Sequence, residues 1–391
     1  MAEAAVSPAE ASTFERLLLR RLVVRDFRNL ERVELRPPPE GIALIGENGH
    51  GKTNVLEAIY YLQLLRSMRG ARDQDLVRFG AAGFHVAAEA GTGEEGRRTV
   101  AVGFERASKR KKAALGGAEP PRLSDALGAL PSVIFSPGDV QLVAGAPSER
   151  RRYLDVVLAL TSRRSLPALQ GYRGALARRN AALRDVARVG GSDARAAVWE
   201  PALAEHGAVL WRERVAWVER AAPEFTRLCT AIGERGAGRM RYATALAPRD
   251  GDVAGALADA LAAKRGLDVR RGLTHAGPHR DDLELSLDGR DLRLFGSAGQ
   301  QRTAAIALRM LEASTLRDRS AATPLFLLDD PFAELDARRA HRILELLADA
   351  GLGQTILAVP RAADIPSELT RLERWGIRDG ALIPPAGRDD G

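Results

Sequence analysis

An α/β fold assembled from both ends of the chain, with a mainly helical domain inserted between them, is what the sequence predicts. Three observations predict it. A glycine-rich loop at residues 46–53 follows a short apolar strand and opens a helix. A second apolar strand ending in two aspartates, PLFLLDD, arrives much later, so that 277 residues separate Lys52 from Asp329. Between them, from about Arg150 to Leu267, the chain turns rich in Ala, Leu, Arg and Glu, which are helical proportions.

Each element follows in order. Residues 1–14 are small and acidic, with no basic segment ahead of an apolar core, and read as a flexible tail rather than a signal peptide. Residues 17–36 alternate apolar and polar in two runs, as paired strands do. Pro37-Pro38-Pro39 stops them, GIALIG (41–46) is a further strand, and Val55, Leu56, Ile59, Leu62 and Leu65 recur at helical spacing behind the loop. Two strands are expected over 83–115 and another at LPSVIFSP (130–137), which completes a first half spanning 15–149. The helical domain, 150–267, is expected to break near Gly190-Gly191 and Ala222-Pro223. It lacks the sustained heptads of a long coiled coil. The second half, 268–391, reads as strands at LELSLDG and RDLRLF, a helix at QRTAAIALRMLEASTLR, the PLFLLD strand, a helix at ARRAHRILELLADA and a final strand at QTILAV.

Composition narrows the class. With 391 residues, 45% hydrophobic and 28% charged, the chain has globular proportions and more than one domain's length. Its mean hydropathy is −0.18, and no apolar run is long enough to cross a bilayer. One cysteine, Cys229, excludes an intramolecular disulfide and a Cys-rich zinc site. These features predict a soluble, intracellular protein. The net charge of +7 hints at an anionic partner such as nucleic acid. Only five of the 58 basic residues are lysines, a bias that fits codon composition better than function.

Gly46-Glu47-Asn48-Gly49-His50-Gly51-Lys52-Thr53 fits G-x-x-x-x-G-K-[ST]. Glycines let the backbone curl so that successive N–H groups face phosphates, and the following helix adds its positive end. Lys52 is expected on the β- and γ-phosphates and Thr53 on Mg²⁺. Asp329 is expected to hold that metal through water, and Asp330 sits where a base polarises the attacking water. Ser297-Ala298-Gly299-Gln300-Gln301-Arg302 precedes another helix. A serine and glycine at a helix start make a second anion site, of the kind ATP-sandwich dimers use to clamp the opposite subunit's γ-phosphate. An ordinary serine N-cap is the alternative.

GENGHGKTNVLEAIYYL, SPGDVQLVAGAPSERRRYLD, AGPHRDD, SAGQQRT and FLLDDPFAELD, in that order between Leu17 and Ala358, resemble the bacterial RecF family of recombination and gap-repair ATPases, relatives of SMC and ABC-type ATPases. The resemblance implies a P-loop ABC/SMC-like ATPase head built from both chain ends and a helical domain replacing the long coiled coil. It also implies an ATP-dependent homodimer on DNA, and work with RecO and RecR to place RecA at gaps and stalled forks in the cytoplasm. Lys52 and Thr53 then belong to Walker A, with Ser297, Gly299 and Gln300 as the signature. Asp329 and Asp330 are Walker B, and Glu334-Leu335-Asp336 is the D-loop. Arg28, in DFRNL, stands where relatives bring a basic residue toward the phosphates, and Gln141 is a candidate Q-loop residue. Three features depart from the pattern. Ala358-Val359-Pro360 lacks the usual polar residue, Gly138 stands where an acid is usual, and Asp330 replaces a glutamate. The shorter base suits slow, DNA-stimulated hydrolysis, a switch rather than a motor.

For DNA, Lys109-Arg110-Lys111-Lys112 clusters three of the five lysines in an expected interstrand turn. A solvated hairpin tip is the alternative reading. Arg150-Arg151-Arg152 reads as packing salt bridges. With 5% aromatics and no RRM, zinc-finger or helix-turn-helix pattern, phosphate-backbone binding to duplex is favoured over base stacking. His275, His279, Asp281 and Asp282 read as structural or ATP-edge residues rather than a metal shell. A non-catalytic scaffold, or a nuclease subunit needing further acidic ligands, remain the competing functions.

Overall fold

Strands that are apolar at nearly every position form parallel sheets covered on both faces, and GIALI, LFLLD, SVIF and TILAV are of this kind. In the computed structural model they lie in one six-stranded sheet. Its order is Ala381–Ile383, Glu373–Arg378, Gly41–Ile45, Thr355–Val359, Leu325–Asp329, Ser132–Phe135, all parallel except the first. The structure describes residues 14–93, 96–331, 337–349, 351 and 353–385. Residues 1–13 of the expected tail, and the whole of Glu334-Leu335-Asp336, lie outside the described residues. Phe14 does not behave as tail, because its ring lies under the Arg317 guanidinium, 4.8 Å from centroid to carbon.

The chain divides into two compact units. The first comprises the described residues within 1–135, 316–331 and 344–391, so the N-terminal and C-terminal parts of the chain both build it, as expected. Beside the parallel sheet it carries a five-stranded antiparallel one, ordered Leu30–Leu35, Leu18–Phe27, Gly83–Gly91, Arg98–Glu105, Arg110–Leu115. The helix Lys52–Leu64 packs on strands of both sheets, which is why it is apolar nearly all round and buries Val55, Leu56, Ile59, Tyr61 and Leu62.

The second unit, residues 136–315 and 337–343, holds helices Pro147–Thr161, Ser165–Val189, Glu200–Ile232 and Val253–Arg271. Ala168, Leu169, Tyr172, Leu203, Leu257 and Leu261 form part of their shared core. This division differs from the expected one at 150 and 267. The reason is pairing: Gly238–Ala243 lies antiparallel to Asp282–Leu287, which fastens residues on both sides of 267 to one body. Arg309 bonds Asp139 at 2.6 Å and draws 136–149 in as well.

Local expectations were met unevenly. The break at Gly190 is present, a glycine with φ +75 ending a helix. The break at Ala222-Pro223 is not, since Pro223 lies inside Glu200–Ile232. An interior proline costs about 3 kcal/mol. Burial of Trp217, Val218, Phe225, Leu228 and Ile232 along the same helix offsets it. Residues 83–115 form three strands rather than two, RDLRLF gives a two-residue strand and one helical turn, and Glu373–Arg378 and Ala381–Ile383 follow the strand expected to be last.

Candidate nucleotide site

The carboxyl ends of Gly41–Ile45, Thr355–Val359 and Leu325–Asp329 meet at one edge of the parallel sheet, where open α/β sheets bind ligands. The loop 46–51 leaves the first of these. Gly46 is pressed against the Ile377 carbonyl, where a Cβ would overlap backbone. Gly49 and Gly51 take φ +88 and +108, a region that favours glycine. Gly51 caps the helix Lys52–Leu64 without any side-chain hydrogen bond, so its first amides stay open to an anion.

Lys52 is buried, and its Nζ donates to the carbonyls of Gly46 and Glu47, the latter at 2.9 Å. Burial lowers its pKa, against the pull of Asp329 and Asp330. Thr53 Oγ1 donates to Asp329 Oδ1 at 2.9 Å, closing 276 residues of sequence. Burial raises the Asp329 pKa, opposed by that hydrogen bond and by the charges of Arg69 and Lys52. Asp330 sits at φ +45 with its amide on the Ala358 carbonyl, so the turn after the strand is fixed by the neighbouring strand. A hydroxyl and a carboxylate in contact are hard oxygen donors of the number Mg²⁺ takes from protein when phosphates complete its octahedron. The residues present therefore fit that ion.

Several residues that buttress the loop were not found from sequence. Asn29 Oδ1 accepts from Asn54 Nδ2 at 2.8 Å and stands against Gly51. The Asp379 amide donates to His50 Nδ1 at 3.0 Å, and the Gly380 amide to the His50 carbonyl at 2.9 Å. Glu57, fully buried on the loop's helix, grips Arg28 through Nε at 3.0 Å and Nη2 at 3.2 Å. Arg28 thus has a carboxylate partner of its own. The signal for Glu57 was a lone acid within NVLEAIYYL; nothing local marks Asp379 or Gly380.

The remaining residues lie in the second unit. Ser297 and Gln300 form a capping box: the Ser297 amide donates to Gln300 Oε1 at 2.9 Å and the Gln300 amide to Ser297 Oγ at 3.3 Å. They open the helix Ala298–Ser320. Gly299 lies under Arg339, which pairs with Glu234 at 3.3 Å. Gln141 is exposed at the start of the single turn Gln141–Ala144. After Gly138, Asp139 is buried and accepts from Ser136 and Arg309.

His275 meets Asp268 at 2.8 Å. His279 meets the Tyr172 hydroxyl at 2.6 Å and the Thr274 carbonyl at 3.0 Å, and burial pushes its pKa down to about 4. Asp281 accepts from Tyr242, and Asp282 from Arg150. These are structural bonds, and Arg150 and Arg151 spend their charges inside this unit.

The basic cluster is not one turn. The turn is 106–109, and Arg110, Lys111 and Lys112 lie on the strand Arg110–Leu115, on alternating faces. Lys111 points inward to Asp73 Oδ2 (2.7 Å) and the Leu65 carbonyl (2.6 Å), and Lys112 reaches Glu119 at 3.3 Å. Lys111 is a structural cation, a correction to its expected role on DNA.

A phosphate loop, a Walker-type aspartate strand and a serine-glycine helix start on one split α/β chain define a P-loop ATPase head of the SMC and ABC type. Residues 18–358 match the family described as the RecF/RecN/SMC N terminal domain. The DNA replication and repair protein RecF of Anaeromyxobacter dehalogenans (strain 2CP-C) is 39% identical, over 93% of this chain and 98% of its own. That of Chloroflexus aggregans is 36% identical over 94% and 100%. A solved structure of the recombination mediator protein RecF with ATP, in the RecFOR pathway, matches at TM-score 0.86 and 26% identity, over 96% of this chain and all of that one. An Smc head from Pyrococcus furiosus shares the fold alone, at TM-score 0.54 and 18% identity. The chain belongs to the RecF family.

Proposed function

We propose that this protein is an ATP-switched DNA clamp of recombinational repair and replication-fork maintenance. Two copies close around ATP on DNA, hydrolyse it slowly, and help RecO and RecR load RecA in the cytoplasm. The observation that carries the reading is the open helix start at Lys52 with Thr53 and Asp329 in contact beneath it, a site shaped for a triphosphate and its metal. The relatives' names supply the process.

In this reading Lys52 leaves the Gly46 and Glu47 carbonyls for the β- and γ-phosphates, and the amides of the 46–53 loop hold the α- and β-phosphates. Mg²⁺, when bound, neutralises charge that develops between those phosphates. Thr53 and Asp329 would hold it, and Asp330 would orient the attacking water. Ser297, Gly299 and Gln300 contact the γ-phosphate held by a second copy, which makes closure depend on ATP. Asp336 belongs to the same composite site. Lys109, Arg110 and Lys112 contact DNA phosphates without regard to sequence.

Sedimentation tests the clamp on the protein alone, with ATP, and with ATP plus gapped duplex, beside Ser297→Arg. The expected result is a monomer that dimerises and holds DNA only with ATP, and a variant that binds ATP as a monomer. An unchanged monomer that still binds DNA favours the scaffold.

A further inference from the structure

Phe79 is 97% exposed, the most exposed large hydrophobic side chain among the described residues. Single apolar residues on a surface are ordinary; the manner of presentation of this one is not. It occupies the second position of a turn closed by the Ala81 amide on the Arg78 carbonyl at 3.0 Å, with Gly80 at φ +82 as a type II turn requires. The turn is pinned from below. The Arg78 amide donates to the Asp26 carbonyl and its Nε to Asp26 Oδ1, both at 2.8 Å. Val77 on one side is buried and bridges to Phe27, and Phe84 beyond the other packs edge-on to Phe27 and Tyr61. A ring on so fixed a base is held out of the core rather than left out by slack.

The adjacent turn, 106–109, carries cations. Arg106 joins it to the Phe79 turn: its amide donates to the Ala82 carbonyl at 2.8 Å and its guanidinium to the Gln74 and Val77 carbonyls. Lys109, at φ +54, and Arg110 complete the adjacent 106–109 turn and strand start, and neither side chain has a partner among the described residues. Glu105, the acid at that tip, is engaged by the Ser108 hydroxyl at 2.6 Å.

Resting on the DNA reading above, we propose that Phe79 is an aromatic finger that stacks on an unpaired or terminal nucleobase where duplex gives way to single strand, while Arg106, Lys109 and Arg110 hold the flanking phosphates. An aromatic face accepts any base, so the contact senses an opened stack and not a sequence. Continuous duplex offers it no base face. The low aromatic content counts against a long stacking platform, and one ring is enough for a junction.

The test uses the full chain with ATP and two duplexes of equal length. Both are relaxed circles; one is covalently closed, and the other is interrupted by a single-strand gap with 2-aminopurine at the junction. Phe79→Ala is expected to lose about tenfold in affinity for the gapped duplex and nothing on the closed one. Phe79→Trp is expected to restore binding and quench the 2-aminopurine. Equal losses on both duplexes, or no loss on either, overturn the finger. So does a Phe79→Ala protein that binds both normally but no longer binds RecR. If the wild type binds neither duplex, the DNA reading itself fails. Binding to the closed duplex with no response to Phe79 at the gap removes only the finger.

Discussion

Two helix starts carry the residues expected at phosphates, and they differ in what already occupies their amides. At Lys52 the cap is a glycine with no side chain to offer, the helix is buried between two sheets, and the amides are open. At Ser297 the cap is satisfied by its own Ser297–Gln300 box on an exposed loop. The first is preorganised for an anion. The second has its cap groups already paired with each other, so a phosphate there would have to displace an internal hydrogen bond.

The largest break in that comparison is Lys52→Arg. A guanidinium presents a planar fork where the ammonium presents a compact point charge to two carbonyls. ATP hydrolysis, followed by phosphate release, is expected to fall about a hundredfold while fluorescent ATP still binds. Retained hydrolysis would detach catalysis from this loop.

Acid is expected to weaken the second unit next. His279 is neutral in the fold, with its pKa near 4 against an ordinary 6.5. Its contribution is therefore complete above pH 6.5 and is lost as pH falls toward 4, by about 1 kcal/mol per pH unit. Thermal melts from pH 7 to 4.5 should show that loss, and His279→Gln should flatten it.

Asp329→Asn is a smaller effect and has two signs. Burial holds the carboxyl above its ordinary pKa, so ionisation on raising the pH costs the folded state. Without nucleotide the variant is expected to melt about 2–4 °C higher, while losing the further stabilisation that Mg²⁺ and ATP give the wild type. A variant that melts lower would show the carboxylate to be well paired by Thr53.

Ser297→Ala sharpens the comparison most gently. Removing the cap is expected to cost about 1 kcal/mol in denaturant titrations and to leave monomeric ATP binding unchanged. If ATP binding weakens instead, Ser297 serves its own subunit's nucleotide.

The phosphate loop was legible because its pattern is local: glycines for curl, then a lysine and threonine at the helix start. The Asp329 strand was legible from its apolar run. Lys111 was not, because its fate depends on strand alternation and on Asp73, 38 residues away. Nor was Pro223, whose local preference for a break yields to the burial of residues along the same helix. The terminal strands, ERWGIR and ALI, are too short and mixed to stand out until a parallel sheet supplies their partner.

By itself the sequence determined the split α/β class, the loop at 46–53, the aspartate pair and the family motifs, since each is written in residues a few positions apart. Tertiary structure alone decided that Thr53 touches Asp329, that Glu57 holds Arg28, that residues 136–149 and 268–315 join the helical unit, and that Phe79 stands on a pinned turn beside Arg106. Those outcomes depend on which distant groups burial brings within hydrogen-bonding range, and no local pattern encodes that distance.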